Sequence, residues 1–217
     1  LTGDVADLAM TFILMAPRRI GEAERFLRSG RWLEGRMDLG TTVRGKRLGI
    51  LGLGRIGRAV ARRAEVFGLN IGYYDIKPMG DLPYRAYPSL PELAEASDIL
   101  LVACEGGEAN RGLVSGDVLK ALGPQGYLIN TARGPIVDQA ALVSALHDGT
   151  IAGAALDVFD GEPNVPSELM AMENVVLTPH IASSTHETRR AMGDLVYDNL
   201  RAHFDGKRVL TPVPPQT

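Results

Sequence analysis

The sequence predicts an α/β protein, a doubly wound parallel sheet with helices on both faces. Three observations carry this. Short apolar runs alternate with helical patterns, several runs are apolar at every position, and a glycine-rich turn separates one run from the helix after it. Such alternation is how successive βαβ units read in sequence. Strands that are apolar throughout are those buried on both faces. The chain has 217 residues, 45% hydrophobic and 23% charged, enough for a full core. Its net charge of −3 gives no general attraction for nucleic acid or anionic membrane.

In chain order, Val5, Leu8, Ala9, Phe12 and Ile13 recur at helical spacing, with Thr2 or Asp4 as N-cap. Pro17 ends that helix, because it lacks an N–H and disfavours a helical Ala16. The apolar run Leu8–Pro17 is too short to span a bilayer and lacks the flanks of a secretion signal. A second helix over about Arg19–Arg28 stops near Gly30, and Trp32 beyond it reads as a packing or interface residue. Strands are expected at Arg47–Leu51, Asn70–Tyr74, Asp98–Ala103, Tyr127–Asn130, Ala152–Leu156 and Val175–Leu177. Helices are expected at Arg55–Phe67, Asp117–Leu122 and Asp138–His147, then a long amphipathic one over about Glu187–Phe204. His147, His186 and His203 fall in helical patterns and read as surface residues. Leu210–Pro215 is a proline-rich tail that cannot be regular helix.

Gly52-Leu53-Gly54-Arg55-Ile56-Gly57 fits the glycine pattern of a dinucleotide site. Gly52 permits a tight turn, Gly54 lets a pyrophosphate approach the backbone, and Gly57 lets helix and strand pack closely. The free N–H groups at the helix start would hold the phosphates. A glycine turn without a ligand is the plain alternative, and context decides against it. The motif follows a strand, opens a helix, and is followed by Asp75 at the next strand end, 18 residues past Gly57. A carboxylate accepts from a ribose 2′-hydroxyl and repels a 2′-phosphate, so Asp75 favours NAD over NADP. Lys77, two residues on, keeps NADP open. Cys104 closes an apolar strand and reads as a small buried hydrophobe rather than a nucleophile. One cysteine allows no internal disulfide, and the cytoplasm is the expected compartment. The reading divides the chain into a Rossmann dinucleotide-binding domain, residues 1–186, and a C-terminal helix and tail, residues 187–217.

Longer blocks now carry a resemblance. Gly45–Ile50, Leu128–Asp138, Ala155–Pro163 and Leu177–Ala182 resemble, in order, the D-isomer-specific 2-hydroxyacid dehydrogenase family. The likeness covers essentially the whole chain. Glu187–Met192 and Leu210–Val213 look most like its glyoxylate/hydroxypyruvate reductase branch. The resemblance implies hydride transfer between NAD(P)H and a small 2-keto acid, with Arg133, Glu162 and His180 as the catalytic triplet. It places Arg55, Ile56, Cys104, Thr131, Ala132, Arg133, Asp157 and His180 against the cofactor with the three glycines and Asp75, and Asp157 on the nicotinamide carboxamide. It implies no metal. The residue types suit the chemistry. A guanidinium can hold the substrate carboxylate without losing charge. An imidazole can protonate the oxygen as hydride arrives, and a carboxylate beside it favours its charged form. Singly, Arg133 reads as a solvated loop arginine, Glu162 as a turn carboxylate and Asp157 as a strand-end cap. His180 alone reads as a satisfied histidine after Pro179. All follow expected strand ends, where open α/β sheets place their ligands.

One segment departs from the family pattern. After Ala103-Cys104 the chain runs Glu105-Gly106-Gly107-Glu108-Ala109-Asn110 where a Pro- and Thr-containing loop is usual, so a more mobile, more negative loop is expected. The family also begins with a separate substrate domain, and the chain is expected to be the cofactor-binding part of such an enzyme, poorly active alone. A homodimer follows from the resemblance only. A dinucleotide-sensing module like the family's transcriptional co-repressor relatives is the alternative. An L-specific lactate-type enzyme is disfavoured by the blocks Asn130–Asp138 and Asp157–Pro163.

Overall fold

Residues 1–77, 80 and 82–213 are described in a computed structural model. Seven strands form one sheet: β1 Arg47–Leu51, β2 Asn70–Tyr74, β3 Arg85–Ala86, β4 Ile99–Val102, β5 Tyr127–Asn130, β6 Gly153–Leu156 and β7 Val175–Leu177. All pairs are parallel, in the order β3-β2-β1-β4-β5-β6-β7. The chain winds outward from β1 to β3, then crosses back to β4 and continues the other way. The carboxyl ends of β1 and β4 therefore flank the crevice where such sheets take ligands. The helices are α1 Thr2–Met15, α2 Ile20–Arg28, α3 Arg55–Val66, α4 Leu90–Glu95, α5 Gly116–Leu122, α6 Gln139–His147, α7 Ser167–Ala171 and α8 His186–Phe204.

The side-chain alternation of β4 explains why the sequence reads as continuous apolar runs. Ile99 and Leu101 join a core with Phe12 and Ile13 of α1 and Val60 of α3. Leu100 and Val102 join a second core with Leu93 of α4, Leu119 of α5 and Leu142 of α6. Burying each such side chain contributes about 1.5–3 kcal/mol, so a polar residue is costly on either face. The six expected strands are present within a residue or so of their expected ends. β3, α4 and α7 are additional.

Asp98, just before β4, ties the start of β4 to β1. Its carboxylate accepts from the Arg47 backbone N–H (2.8 Å) and from the Arg47 guanidinium (2.9 and 3.2 Å). Those guanidinium hydrogen bonds hold the Asp98 carboxyl below its ordinary value despite partial burial. A depressed carboxyl stabilises the fold above its unfolded value, and the benefit is lost as pH falls through the folded one. Asp98→Asn should cost about 1–2 kcal/mol at neutral pH, the worth of hydrogen bonds to a charged group. Urea unfolding at neutral pH and near pH 3 checks it; the gap from wild type should narrow in acid, and an unchanged gap would assign the loss elsewhere.

Contacts divide the chain into two compact units, Thr2–Ala182 and Ser183–Thr217 with Leu1. In the second unit the Thr185 hydroxyl caps α8 by accepting from the Thr188 N–H (3.1 Å). The tail returns along that helix, where the Asn199 amide bonds both ways with Thr211 (2.9 and 3.0 Å). Pro214 and Pro215 lie outside the described residues.

Candidate active site

The glycine turn lies at the carboxyl end of β1. Gly52 has a left-handed backbone (φ 90°), and a Cβ there would stand 2.6 Å from the Cys104 backbone. A Cβ on Gly57 would meet the Gly52 carbonyl oxygen at 2.2 Å. Nothing lies within 4 Å of a Cβ position on Gly54, which leaves that side open. Gly54 is also the N-cap of α3 and supplies no side chain to its first turn, where Arg55 and Ile56 sit. The opening N–H groups of α3 thus remain available to an anion. The Asp75 carboxylate accepts from the N–H groups of Leu53 (2.8 Å) and Lys77 (3.0 Å), so it stands beside the turn. Cys104 abuts Gly52, and burial pushes its thiol up to about 11, which keeps it neutral and unreactive near pH 7.

At the end of β5, buried Asn130 shapes the next turn. Its amide donates to the Arg133 carbonyl (3.1 Å) and accepts from the Ala132 N–H (3.0 Å). The Thr131 hydroxyl between them is buried and, among the described residues, has no hydrogen-bond partner. A buried hydroxyl left unpaired is costly, and a ligand group is one way to satisfy it. The Arg133 guanidinium is exposed and, among the described residues, donates once, to its neighbour Ala132's carbonyl (2.6 Å). Its other donors meet no hydrogen-bond partner among those residues and can serve an anion. The orphaned hydroxyl, the uncapped helix and the open side of Gly54 together fit a dinucleotide.

Glu162 and His180 come together from different strand ends. Glu162 accepts through Oε1 from the Phe159 N–H (2.9 Å), and its Oε2 lies 2.7 Å from Nδ1 of His180. Burial works to raise the Glu162 carboxyl. Hydrogen bonds from His180 and Phe159, with the charges of His180 and Arg133, outweigh it and hold the group below its ordinary value. With Nδ1 engaged, Nε2 is the imidazole nitrogen left for another partner. His180 itself has a left-handed backbone (φ 54°). Arg133 is near enough to act on Glu162 electrostatically, yet among the described residues no hydrogen bond joins it to Glu162 or His180.

Asp157 is fully buried. Its carboxylate accepts from the Thr178 hydroxyl (2.5 Å) and from the N–H groups of Ile181 (2.8 Å) and Ala182 (2.9 Å). A carboxylate has about four acceptor positions, and three of these are filled from within the chain, with none of the side chain open to solvent. Sequence reasoning missed this internal role, as it missed Asn130 and Gln139. The Gln139 side chain brackets Asp160, accepting from its N–H (3.0 Å) and donating to its carbonyl (3.3 Å). The loop 105–110, expected to be more mobile and more negative, is exposed at residues 105–109 and keeps both its carboxylates. Asn110 donates to the Glu105 carbonyl (2.7 Å), Arg111 pairs with Glu108 (3.4 Å) and Asp160 (3.0 Å), and Gly106 lies against the Arg133 stem.

The family model described as D-isomer specific 2-hydroxyacid dehydrogenase, NAD binding domain, matches residues 10–182. Glyoxylate/hydroxypyruvate reductase A of Arabidopsis thaliana is 54% identical over 98% of this chain and 68% of its own length. Hydroxyphenylpyruvate reductase of Plectranthus scutellarioides is 52% identical over the same shares. A crystal structure of an NADPH-dependent glyoxylate/hydroxypyruvate reductase from Sinorhizobium meliloti, with NADP and malonate, superposes with a TM-score of 0.94. It is 50% identical and matches 99% of this chain and 68% of that one.

Proposed function

The chain belongs to the D-isomer-specific 2-hydroxyacid dehydrogenase family, and on that premise we propose that it serves the reduction of glyoxylate or hydroxypyruvate to the 2-hydroxy acid. The observation that carries the proposal is the Glu162–His180 contact at 2.7 Å with Arg133 close by. The relatives above are named as reductases, which favours an enzyme over a dinucleotide sensor.

A bound nicotinamide supplies the hydride to C2 of the keto acid. The chain's own residues do the rest. Arg133 uses its free donors to hold the substrate carboxylate and polarise the carbonyl oxygen. His180 delivers a proton from Nε2 to that oxygen as negative charge develops there. Glu162 fixes the ring through Nδ1 and balances its positive charge. The turn at Gly52 and Gly54, with the first α3 residues Arg55 and Ile56, would receive the pyrophosphate, and Gly57 would keep α3 close to that turn. Thr131, Ala132 and Cys104 would face the nicotinamide end. A panel of keto acids tested with NADH and NADPH on the protein carrying this chain decides the reading. Reduction of none of them would end it.

Asp75 should set the choice of dinucleotide. The Sinorhizobium meliloti relative is named as NADPH-dependent; in this chain Asp75 stands beside the glycine turn, and a 2′-phosphate held next to it would meet its charge. One such repulsion near the surface is worth about 1 kcal/mol, so Asp75→Ser should raise NADPH affinity relative to NADH about fivefold. An unchanged affinity ratio would remove Asp75 from selectivity. Equal loss of both would mean a damaged turn.

A homodimer is proposed for the same protein. Trp32, Leu33 and Leu39 are large apolar residues left exposed on one segment, as an interface requires. Leu33→Asp with Leu39→Asp should lower the mass seen by light scattering to that of a monomer. An unchanged dimer would move the interface elsewhere.

A further inference from the structure

We propose that Thr178, acting through Asp157, is a positioning residue for His180. The inference rests on the reading of His180 as proton donor, and its argument begins with the backbone. Only two non-glycine residues among those described have a left-handed backbone, Arg19 and His180. That conformation is strained for a residue with a Cβ and persists only where its surroundings enforce it.

Around His180 the enforcement is visible. Its N–H points to the carbonyl oxygens of Asp157 (2.9 Å) and Thr178 (3.0 Å). The next two N–H groups, of Ile181 and Ala182, donate to the two carboxylate oxygens of Asp157. Three consecutive N–H groups thus converge on one residue, that of His180 on its backbone carbonyl and those of Ile181 and Ala182 on its carboxylate. The latter two form an anion-binding pair of backbone donors, and the anion here is a side chain of the same chain. The Thr178 hydroxyl donates to the Asp157 oxygen that Ile181 also uses.

The sheet sets this spacing. Leu156 pairs with Leu177 across β6 and β7, so Asp157 and Thr178 leave adjacent strands side by side. The Thr178 N–H donates to the Leu156 carbonyl (3.0 Å), which fixes that register one step further. A fully buried carboxylate must keep all its donors, and Thr178 supplies the only side-chain one among the described residues. If His180 relaxed to ordinary backbone angles its Cβ would swing, and Nδ1 would leave Glu162. The clamp therefore acts on the ring without touching substrate.

Thr178→Val keeps the shape and removes the donor. In the protein carrying this chain it should lower kcat for keto-acid reduction about ten- to a hundredfold, the scale of a small misplacement of a catalytic group. KM for NADH should change little. Glu162 is the charged side chain in hydrogen-bond contact with the ring, and a ring moved off it should change the NMR signals of Nδ1 and of the proton it shares with Glu162. Thr178→Ser should restore both readouts, and Thr178→Ala replaces the valine variant if that one does not fold. A folded variant with normal kcat and unmoved His180 ring signals overturns the proposal, whatever its melting temperature. So does a folded serine variant that restores neither. If the wild type reduces no keto acid yet the ring signals move in the valine variant, the clamp stands and the proton-donor reading falls.

Discussion

His180→Gln is expected to lower kcat for keto-acid reduction about 10²–10⁴-fold, the usual worth of a positioned general acid. Dinucleotide affinity should survive, because the glycine turn is built on β1 and the imidazole follows β7. Glu162→Gln tests the same pair by pH. Reduction consumes a proton, so its rate falls as pH rises and the ring loses its proton. Glu162 is held below its ordinary carboxyl value, and so stays ionised throughout the range where an imidazole titrates. An ionised neighbour at 2.7 Å favours the protonated ring. Removing that charge should move the falling limb to lower pH. Oxidation of the hydroxy acid needs the neutral ring, and its rising limb should move the same way. Stopped-flow rates in both directions check this. A limb that stays put, or moves up, would show that Glu162 is not the partner.

The strand–helix alternation was legible because parallel strands buried on both faces leave unbroken runs such as Ile99–Val102. β3 was not, since a two-residue edge strand carries no pattern. α4 had a signal that went unused: Ser89 followed by Glu92 is a capping box. The structure shows the Glu92 N–H on the Ser89 hydroxyl (3.4 Å) and that hydroxyl on the Glu92 carboxylate (2.9 Å). The candidate site was legible residue by residue through long motifs, but its internal wiring was not. Asp157 reads as a surface cap or a ligand contact until the fold shows its carboxylate filled by Thr178, Ile181 and Ala182. Residues twenty or more apart can be joined only by sheet register, which no local pattern states. The loop at Glu105 hides a contact for a related reason. Gly106 reads only as a flexible position, whereas the fold brings it against the Arg133 stem.

Gly134→Ala should have the largest effect of any single methyl added near the site. Gly134 does not need a left-handed backbone; it needs the space. A Cβ there would lie 1.9 Å from the Phe159 carbonyl carbon and 2.4 Å from the Asp160 nitrogen. These are backbone atoms, and no rotamer change can clear them. Gln139 and Arg111 further pin Asp160 on that side. The methyl must therefore push apart two segments. One carries Arg133 at the end of β5, the other runs from Phe159 to Glu162, whose carboxylate the Phe159 N–H holds at 2.9 Å. Overpacking costs typically about 1–3 kcal/mol, and rigid neighbours on both sides put this case at the upper end. A displacement near 1 Å between substrate-binding and proton-delivering groups can cost about a hundredfold in kcat/KM. NADH affinity should fall much less, because the pyrophosphate contacts lie on β1 and α3. The melting temperature, kcat/KM and calorimetric NADH binding of the alanine variant test each step. A folded variant with unimpaired kcat/KM would mean the two segments do not share the site. Loss of NADH binding as large as the loss of kcat/KM would mean that the cofactor, rather than the spacing of Arg133 from Glu162 and His180, is what the glycine protects.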